Sequence, residues 1–162
     1  MVTSGLSSSE CGRTDAEAER RRVLIVDDDP IWGDILRTAL QRSGIDVVLH
    51  SDALSALAEF RERPDKWDAL ITDQVMPGMK GFELVRAVKA LNAGLPCIVC
   101  TGYMKGVEQD DLRQFGVSAL LHKPAKFEQI INALADIADD IGAPDGPSSA
   151  DGDLVRATRR TG

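Results

Sequence analysis

Four apolar runs in this chain stop abruptly at polar side chains. Val23-Leu24-Ile25-Val26 ends in Asp27-Asp28-Asp29, Leu70-Ile71-Thr72 in Asp73, Ile98-Val99-Cys100 in Thr101, and Leu120-Leu121 in His122-Lys123. Short uninterrupted apolar runs suit parallel strands buried on both faces. In an open parallel sheet, ligands bind in the crevice beyond the carboxyl ends of the strands. Carboxylates, a hydroxyl and an ammonium delivered there converge on one place, and that combination suits a phosphoryl group with a metal ion.

The segments between the runs alternate with them. Asp29-Pro30 reads as a helix cap followed by proline at the first helical position. Ile31, Trp32, Ile35, Leu36, Ala39 and Leu40 recur at helical spacing up to Gly44. Ile45–Leu49 reads as a second strand, and Leu54, Leu57, Ala58 and Phe60 mark a short helix before Pro64. Ala69–Thr72 is the third strand, then Met76-Pro77-Gly78-Met79-Lys80-Gly81 is a loop by its Pro-Gly turn. Phe82, Val85, Val88 and Leu91 give a helical face, Leu95–Cys100 a strand, and Val107–Phe115 a weaker helix. Ala119–His122 and Phe127–Ile141 complete the pattern, with Ile130, Ile131, Leu134, Ile137 and Ile141 facing inward. Five strand–helix repeats predict an α/β fold, a parallel sheet with helices on both faces. Residues 1–21 and 142–162 carry no apolar period and are expected to be disordered tails around one domain at 22–141.

Composition closes off several function classes. A net charge of −7 opposes general affinity for nucleic-acid backbone. No apolar run approaches the roughly 20 residues of a membrane span. Arg20-Arg21-Arg22 resembles a twin-arginine signal, but the apolar stretch after it ends in three aspartates within four residues. Three cysteines without a secretory framework fit a reduced, cytoplasmic chain. Cys97 and Cys100 have CxxC spacing, yet residues three apart on a strand point to opposite faces, which excludes a shared metal.

Asp27, Asp28 and Asp73 close together repel one another unless a cation holds them ionised. A hard divalent ion with oxygen ligands, Mg²⁺, resolves that conflict. Asp29 is accounted for as the helix cap. Asp73 is positioned to attack phosphorus as a carboxylate nucleophile, and the backbone carbonyl of Val75 is the expected additional metal donor. Thr101, beside the approachable backbone of Gly102, can bond a phosphoryl oxygen. Lys123 supplies a compact positive charge, and Pro124 after it is compatible with a cis bond that aims the lysine inward.

In combination, Val26-Asp27-Asp28, Asp73 with Met76-Pro77 and Gly81, Thr101-Gly102, and Lys123-Pro124 resemble the receiver domain of two-component response regulators. That family includes the bacterial chemotaxis regulator. The resemblance runs from about Arg22 to Ile141 and implies a flavodoxin-like five-stranded sheet in the order 2-1-3-4-5. It implies an Mg²⁺-dependent aspartyl phosphate at Asp73, taken from a sensor histidine kinase or a histidine phosphotransfer protein. Asp28, Asp73 and the Val75 carbonyl correspond to direct metal contacts, Asp27 to one made through water, and Thr101 and Lys123 to the phosphate-binding pair. The implied protein is a phosphoacceptor with only self-catalysed phosphotransfer and slow autodephosphorylation. It is a monomer or weak homodimer acting by partner docking or as a relay, because the residues after Ile141 are too few for a helix-turn-helix unit.

Two positions depart from the family. Leu120 stands where Tyr or Phe is frequent in the fifth strand, and Ala125 stands where Phe commonly follows Lys-Pro, with Phe127 as the candidate to fill that space. The bulky Val75 and Tyr103 flank the expected path of attacking water and predict a persistent phosphoaspartate. Two alternatives use the same residues. One is a phosphorylation-independent pseudo-receiver that binds partners. The other is a haloacid-dehalogenase-type phosphatase with Asp27 as nucleophile, which needs a further acidic pair on a strand after Lys123 and leaves Asp73 without a role.

Overall fold

The computed structural model describes residues 21–102, 109–142 and 154–156. The elements are β1 (Arg22–Val26), α1 (Pro30–Arg42), β2 (Asp46–His50), α2 (Ala53–Glu62), a 3-10 turn (Pro64–Lys66), β3 (Ala69–Asp73), α3 (Gly81–Leu91), β4 (Cys97–Thr101), α4 (Gln109–Phe115), β5 (Ala119–His122), α5 (Phe127–Gly142) and β6 (Leu154–Arg156). Five parallel strands lie in the order β2-β1-β3-β4-β5, as the alternation of apolar runs and helical repeats requires. β6 extends this sheet as an antiparallel edge strand, with Leu120 opposite Val155. These residues belong to the stretch expected to form the C-terminal tail, and Leu-Val-Arg is too short to carry a period of its own. Its pairing depends on the open edge of β5, a long-range property. The expected N-terminal tail lies outside the described residues apart from Arg21, whose guanidinium donates to the Leu134 carbonyl at 3.3 Å.

The strands are buried on both sides, so the sheet separates two apolar layers. One gathers Leu24, Val26, Leu70, Val99 and Leu120 under Phe60 of α2, Val85 and Val88 of α3 and Leu112 of α4. The other gathers Val23, Ile25, Ile71 and Leu121 under Leu36 and Leu40 of α1 and Ile130 and Leu134 of α5. Full burial of side chains such as Leu24 or Ile98 contributes on the order of 1.5–3 kcal/mol each. Cys97 belongs to the first layer and Cys100 to the second, on opposite faces as strand geometry dictates. Burial pushes both thiols up to about 12.

The periodicity of α1 is wider than the face it buries. Leu36 and Leu40 are buried, whereas Ile31 and Ile35 are exposed at 73% and 56%. Their positions at i and i+4 align them on one side of the helix that the sheet does not cover. Leu54 and Leu91 are likewise apolar and exposed. Phe127 does not fill the space beside Ala125 either: Ala125 itself is buried in the second layer, and Phe127 stays 37% exposed. Among the described residues, no helix is long and apolar enough to cross a membrane.

The winding direction reverses between β1 and β3, which lie side by side with Val26 opposite Thr72. The residues after this pair, Asp27 and Asp73, therefore sit next to each other at the carboxyl edge, at the point where such sheets open a crevice. The loop after β3 returns tightly: the Gly81 amide donates to the Gln74 carbonyl at 3.0 Å. A Cβ on Gly81 would overlap the Asp73 carbonyl oxygen and lie 3.0 Å from Gln74 Cα. Both obstacles are backbone and cannot rotate away. Gly81→Ala is expected to destabilise the protein by about 1–3 kcal/mol, the usual cost of overpacking, measured by denaturant unfolding. Gly94→Ala, whose Cβ would meet only the Asn92 side chain at 3.6 Å, is the control expected to leave stability nearly unchanged.

Candidate functional site

Four strand ends and one loop build the site. β1 delivers Asp27 and Asp28, and the turn into α1 is fixed by Asp29. Its carboxylate accepts from the Ile31 and Trp32 amides at 3.0 and 3.2 Å, while Pro30 opens the helix. This is the capping role read from the sequence, and it leaves Asp27 and Asp28 for other work. The Asp27 amide donates to the His50 carbonyl at 3.0 Å, extending the β1–β2 ladder by one bond. The Asp27 carboxylate accepts the Asp29 amide at 2.9 Å.

β3 delivers Asp73, which is buried, and the Val75 amide donates to its carboxylate at 3.1 Å. The Thr72 hydroxyl donates to the Asp73 carbonyl at 3.0 Å. β4 ends in the buried Thr101, whose carbonyl accepts the Lys123 amide at 2.8 Å. β5 ends in His122 and Lys123, and the Lys123-Pro124 bond is cis, the geometry the sequence admits. His122 is exposed.

Lys123 closes the arrangement. Its ammonium lies 2.7 Å from one Asp27 oxygen and 3.0 Å from one Asp73 oxygen, bridging residues far apart in sequence. Burial alone would push the lysine pKa down, but the bonds to Asp27 and Asp73 outweigh it and hold it above its ordinary value. For Asp73 the balance falls the other way. Burial raises its pKa, neighbouring Asp27 adds to that, and the opposing pull of Lys123 and the Val75 amide does not bring it back down. Burial and a like charge thus oppose ionisation of Asp73, while the ammonium beside it favours it.

Asp27, Asp28 and Asp73 each offer an oxygen, and these oxygens all lie within 4.8 Å of one another. The chemistry of this donor set fits a hard divalent cation: all ligands are carboxylate oxygens, no sulfur or imidazole takes part, and exposed Asp28 leaves an open side. Val75 is on the loop beside them, with its side chain 67% exposed. The sequence-predicted residues Asp27, Asp28, Asp73 and Lys123 are thus brought together, and Thr101 is tied to the same edge through Lys123. Tyr103, expected to flank this pocket, lies outside the described residues.

One participant was not foreseen. Gln74, directly after Asp73, folds its side-chain carbonyl back to accept the Phe82 amide at 2.9 Å. Nothing local distinguishes this glutamine from an ordinary polar loop residue, since its partner is the start of a helix eight positions away. Phe82 in turn stacks on Phe115 of α4, with ring centroids 5.1 Å apart.

Known proteins resemble this chain in the same region. The two-component response regulator ORR26 of Oryza sativa subsp. japonica is 37% identical over 117 residues, covering 68% of this chain and 19% of that protein. The DNA-binding response regulator MtrA of Mycolicibacterium smegmatis is 31% identical over 113 residues, 69% of this chain and 48% of that protein. The chain therefore spans less than half the length of these relatives. The chemotaxis protein CheY4 of Vibrio cholerae, in its crystal structure at low pH, superposes with a TM-score of 0.67 at 28% identity, covering 73% of this chain and 98% of that one. A receiver domain from Clostridium thermocellum shares the fold with a TM-score of 0.70 at 22% identity, over 75% and 96% of the two chains. The family model described as the response regulator receiver domain matches residues 23–135. That span runs from β1 into α5 and takes in every side chain of the acidic pocket, so the chain belongs to the response regulator receiver family of two-component signalling.

Proposed function

We propose that this chain accepts a phosphoryl group on Asp73 from the phosphohistidine of a sensor kinase or a histidine phosphotransfer protein, and signals through the change in charge. The observation that carries this reading is the convergence of Asp27, Asp28 and Asp73 with Lys123 at the strand switch point. In the proposed step an Asp73 carboxylate oxygen bonds to phosphorus, the donor's P–N bond breaks, and the leaving imidazole takes up a proton. Asp28, Asp73 and the Val75 carbonyl would hold Mg²⁺, with Asp27 reaching it through water; bound there, the ion neutralises charge on the transferring oxygens. Lys123 and Thr101 bind phosphoryl oxygens. Lys123 is already held at the acceptor, so little side-chain entropy remains to be lost when the phosphoryl group arrives.

The donor's chemistry fits the surface around the pocket. Ile31 and Ile35 project from the first turns of α1, Val75 from the loop beside Asp73, and Phe127 from the start of α5. This exposed apolar rim suits the helical face of a phosphohistidine-bearing partner. The proposed setting is a cytoplasmic monomer or weak homodimer that neither binds nucleic acid nor enters a membrane. It acts by docking to a partner that the charge and the apolar rim do not identify, or by passing the phosphoryl group onward.

The phosphatase alternative loses ground. The described strand that follows Lys123 is antiparallel β6, Leu154-Val155-Arg156, which itself carries no acidic side chain, and this reading leaves Asp73, 3.0 Å from the Lys123 ammonium, without a role. The pseudo-receiver alternative rests on Leu120, buried in the core where the family often has an aromatic residue. Incubation with acetyl phosphate and Mg²⁺ separates the three. A hydroxylamine-labile phosphoprotein that disappears in Asp73→Asn supports the receiver. Loss only in Asp27→Asn supports the phosphatase, and absence of label under all conditions supports the pseudo-receiver. With Val75 beside the acceptor, the label is expected to outlast the incubation by many minutes after the donor is removed, and immediate decay would contradict that.

A reactive acceptor carries a stability cost. Because the folded pKa of Asp73 is raised, its favourable contribution is present below the ordinary value of 3.8 and is lost as pH rises through the folded value. At neutral pH the ionised side chain opposes folding. Asp73→Asn is expected to raise the melting temperature at pH 7 by a few degrees, with the difference shrinking below the ordinary aspartate range. Thermal melts of both proteins across pH 3–8 check this, and a lower melting temperature for the variant at pH 7 contradicts it.

A further inference from the structure

The loop between β3 and α3 carries the Val75 carbonyl, and both of its ends are tied by one residue. The Gln74 amide donates to the Cys100 carbonyl on β4 at 2.8 Å. The Gln74 carbonyl accepts the Gly81 amide at 3.0 Å, and the Gln74 side-chain carbonyl accepts the Phe82 amide at 2.9 Å. Gly81 and Phe82 are the first two residues of α3, whose amides have no partner inside the helix. The residue before them, Lys80, has no acceptor in its side chain and cannot cap the helix; its own amide goes to Glu83 at 2.8 Å. Gln74 therefore supplies the cap from the other end of the loop. In doing so it fixes the chord that the intervening residues, Val75 to Lys80, must span.

We propose that Gln74 is a positioning residue for the cation site: its side-chain bond to the Phe82 amide holds the loop so that the Val75 carbonyl stands beside Asp28 and Asp73. This rests on the phosphoacceptor reading above. The backbone bonds of Gln74 survive any substitution, so the side-chain bond is the separable part. Without it, α3 loses the acceptor for its second amide and the loop gains freedom at the residue next to the nucleophile. Cation affinity then falls, because one ligand must be ordered on binding. The acceptor's chemistry, set by Asp73 and Lys123, is untouched.

The test compares Gln74→Met, which keeps length and removes the acceptor, with Gln74→Glu, which restores an acceptor and suits a helix N-terminus. Mg²⁺ titration followed by ¹H–¹⁵N NMR reads both the dissociation constant and the state of the Phe82 amide. Gln74→Met is expected to weaken Mg²⁺ binding about three- to tenfold, the equivalent of one hydrogen bond, and to speed hydrogen exchange at the Phe82 amide. Its labelling rate by acetyl phosphate at saturating Mg²⁺ is expected to match the parent chain. Gln74→Glu is expected to bind Mg²⁺ at least as well as the parent and to keep the amide protected. An unchanged constant in Gln74→Met, or an equal loss in both variants, overturns the proposal while leaving the receiver reading intact. A parent chain that neither binds Mg²⁺ nor becomes labelled overturns the receiver reading and this inference together.

Discussion

The ion triad of Lys123 with Asp27 and Asp73 is the interaction on which the geometry of the site turns. Two carboxylates at the ends of adjacent strands would repel across the crevice, and the ammonium from β5 offsets that repulsion at 2.7 and 3.0 Å. Buried ion pairs of this kind are poor stabilisers, since removing the charges from water costs about as much as their attraction returns. Their worth lies in geometry. For Lys123 to reach both aspartates, β1, β3 and β5 must end level with one another. That requires the registers Val26 to Thr72, Asp73 to Cys100 and Thr101 to His122 to hold together across the sheet. The two apolar layers enforce these registers, because a slip of one residue would turn buried leucines and isoleucines to the wrong face. The core thus acts as the ruler by which the site is assembled.

The architecture and this triad were legible in the sequence because both are carried by local signals. An apolar run predicts a buried strand, and the residue that ends it predicts what reaches the crevice. What escaped was set by pairing at a distance. Ile31 and Ile35 satisfy the helical period as well as Leu36 and Leu40 do, and only the placement of α1 on the sheet decides which pair is covered. Phe127 looked like the filler for the space beside Ala125, yet the small Ala125 packs there itself and the aromatic ring stays half outside. Leu154–Arg156 has too few residues to declare a strand, and its recruitment depends on β5 offering an unpaired edge. Gln74 is the sharpest case, since its sequence neighbours give no hint that its side chain caps a helix beyond the next turn.

Pairing at a distance also decides what surrounds Asp73, where the phosphoryl group is proposed to bind. Leu120, buried under the first apolar layer, has no polar tip and cannot alternate between a buried and a solvated position as a tyrosine can. Aromatic rings lie elsewhere in that same layer. Phe82, whose amide is held by the residue following Asp73, stacks on Phe115 at the end of α4. Offset aromatic contacts of this separation contribute about 0.5–1.5 kcal/mol beyond the area they bury. That is enough to couple the position of α3 to that of α4, and too little to lock them. The helix whose second amide is held by Gln74 is therefore the helix that leans on α4, so the loop beside Asp73 is joined to α4 through packed atoms that do not include β5.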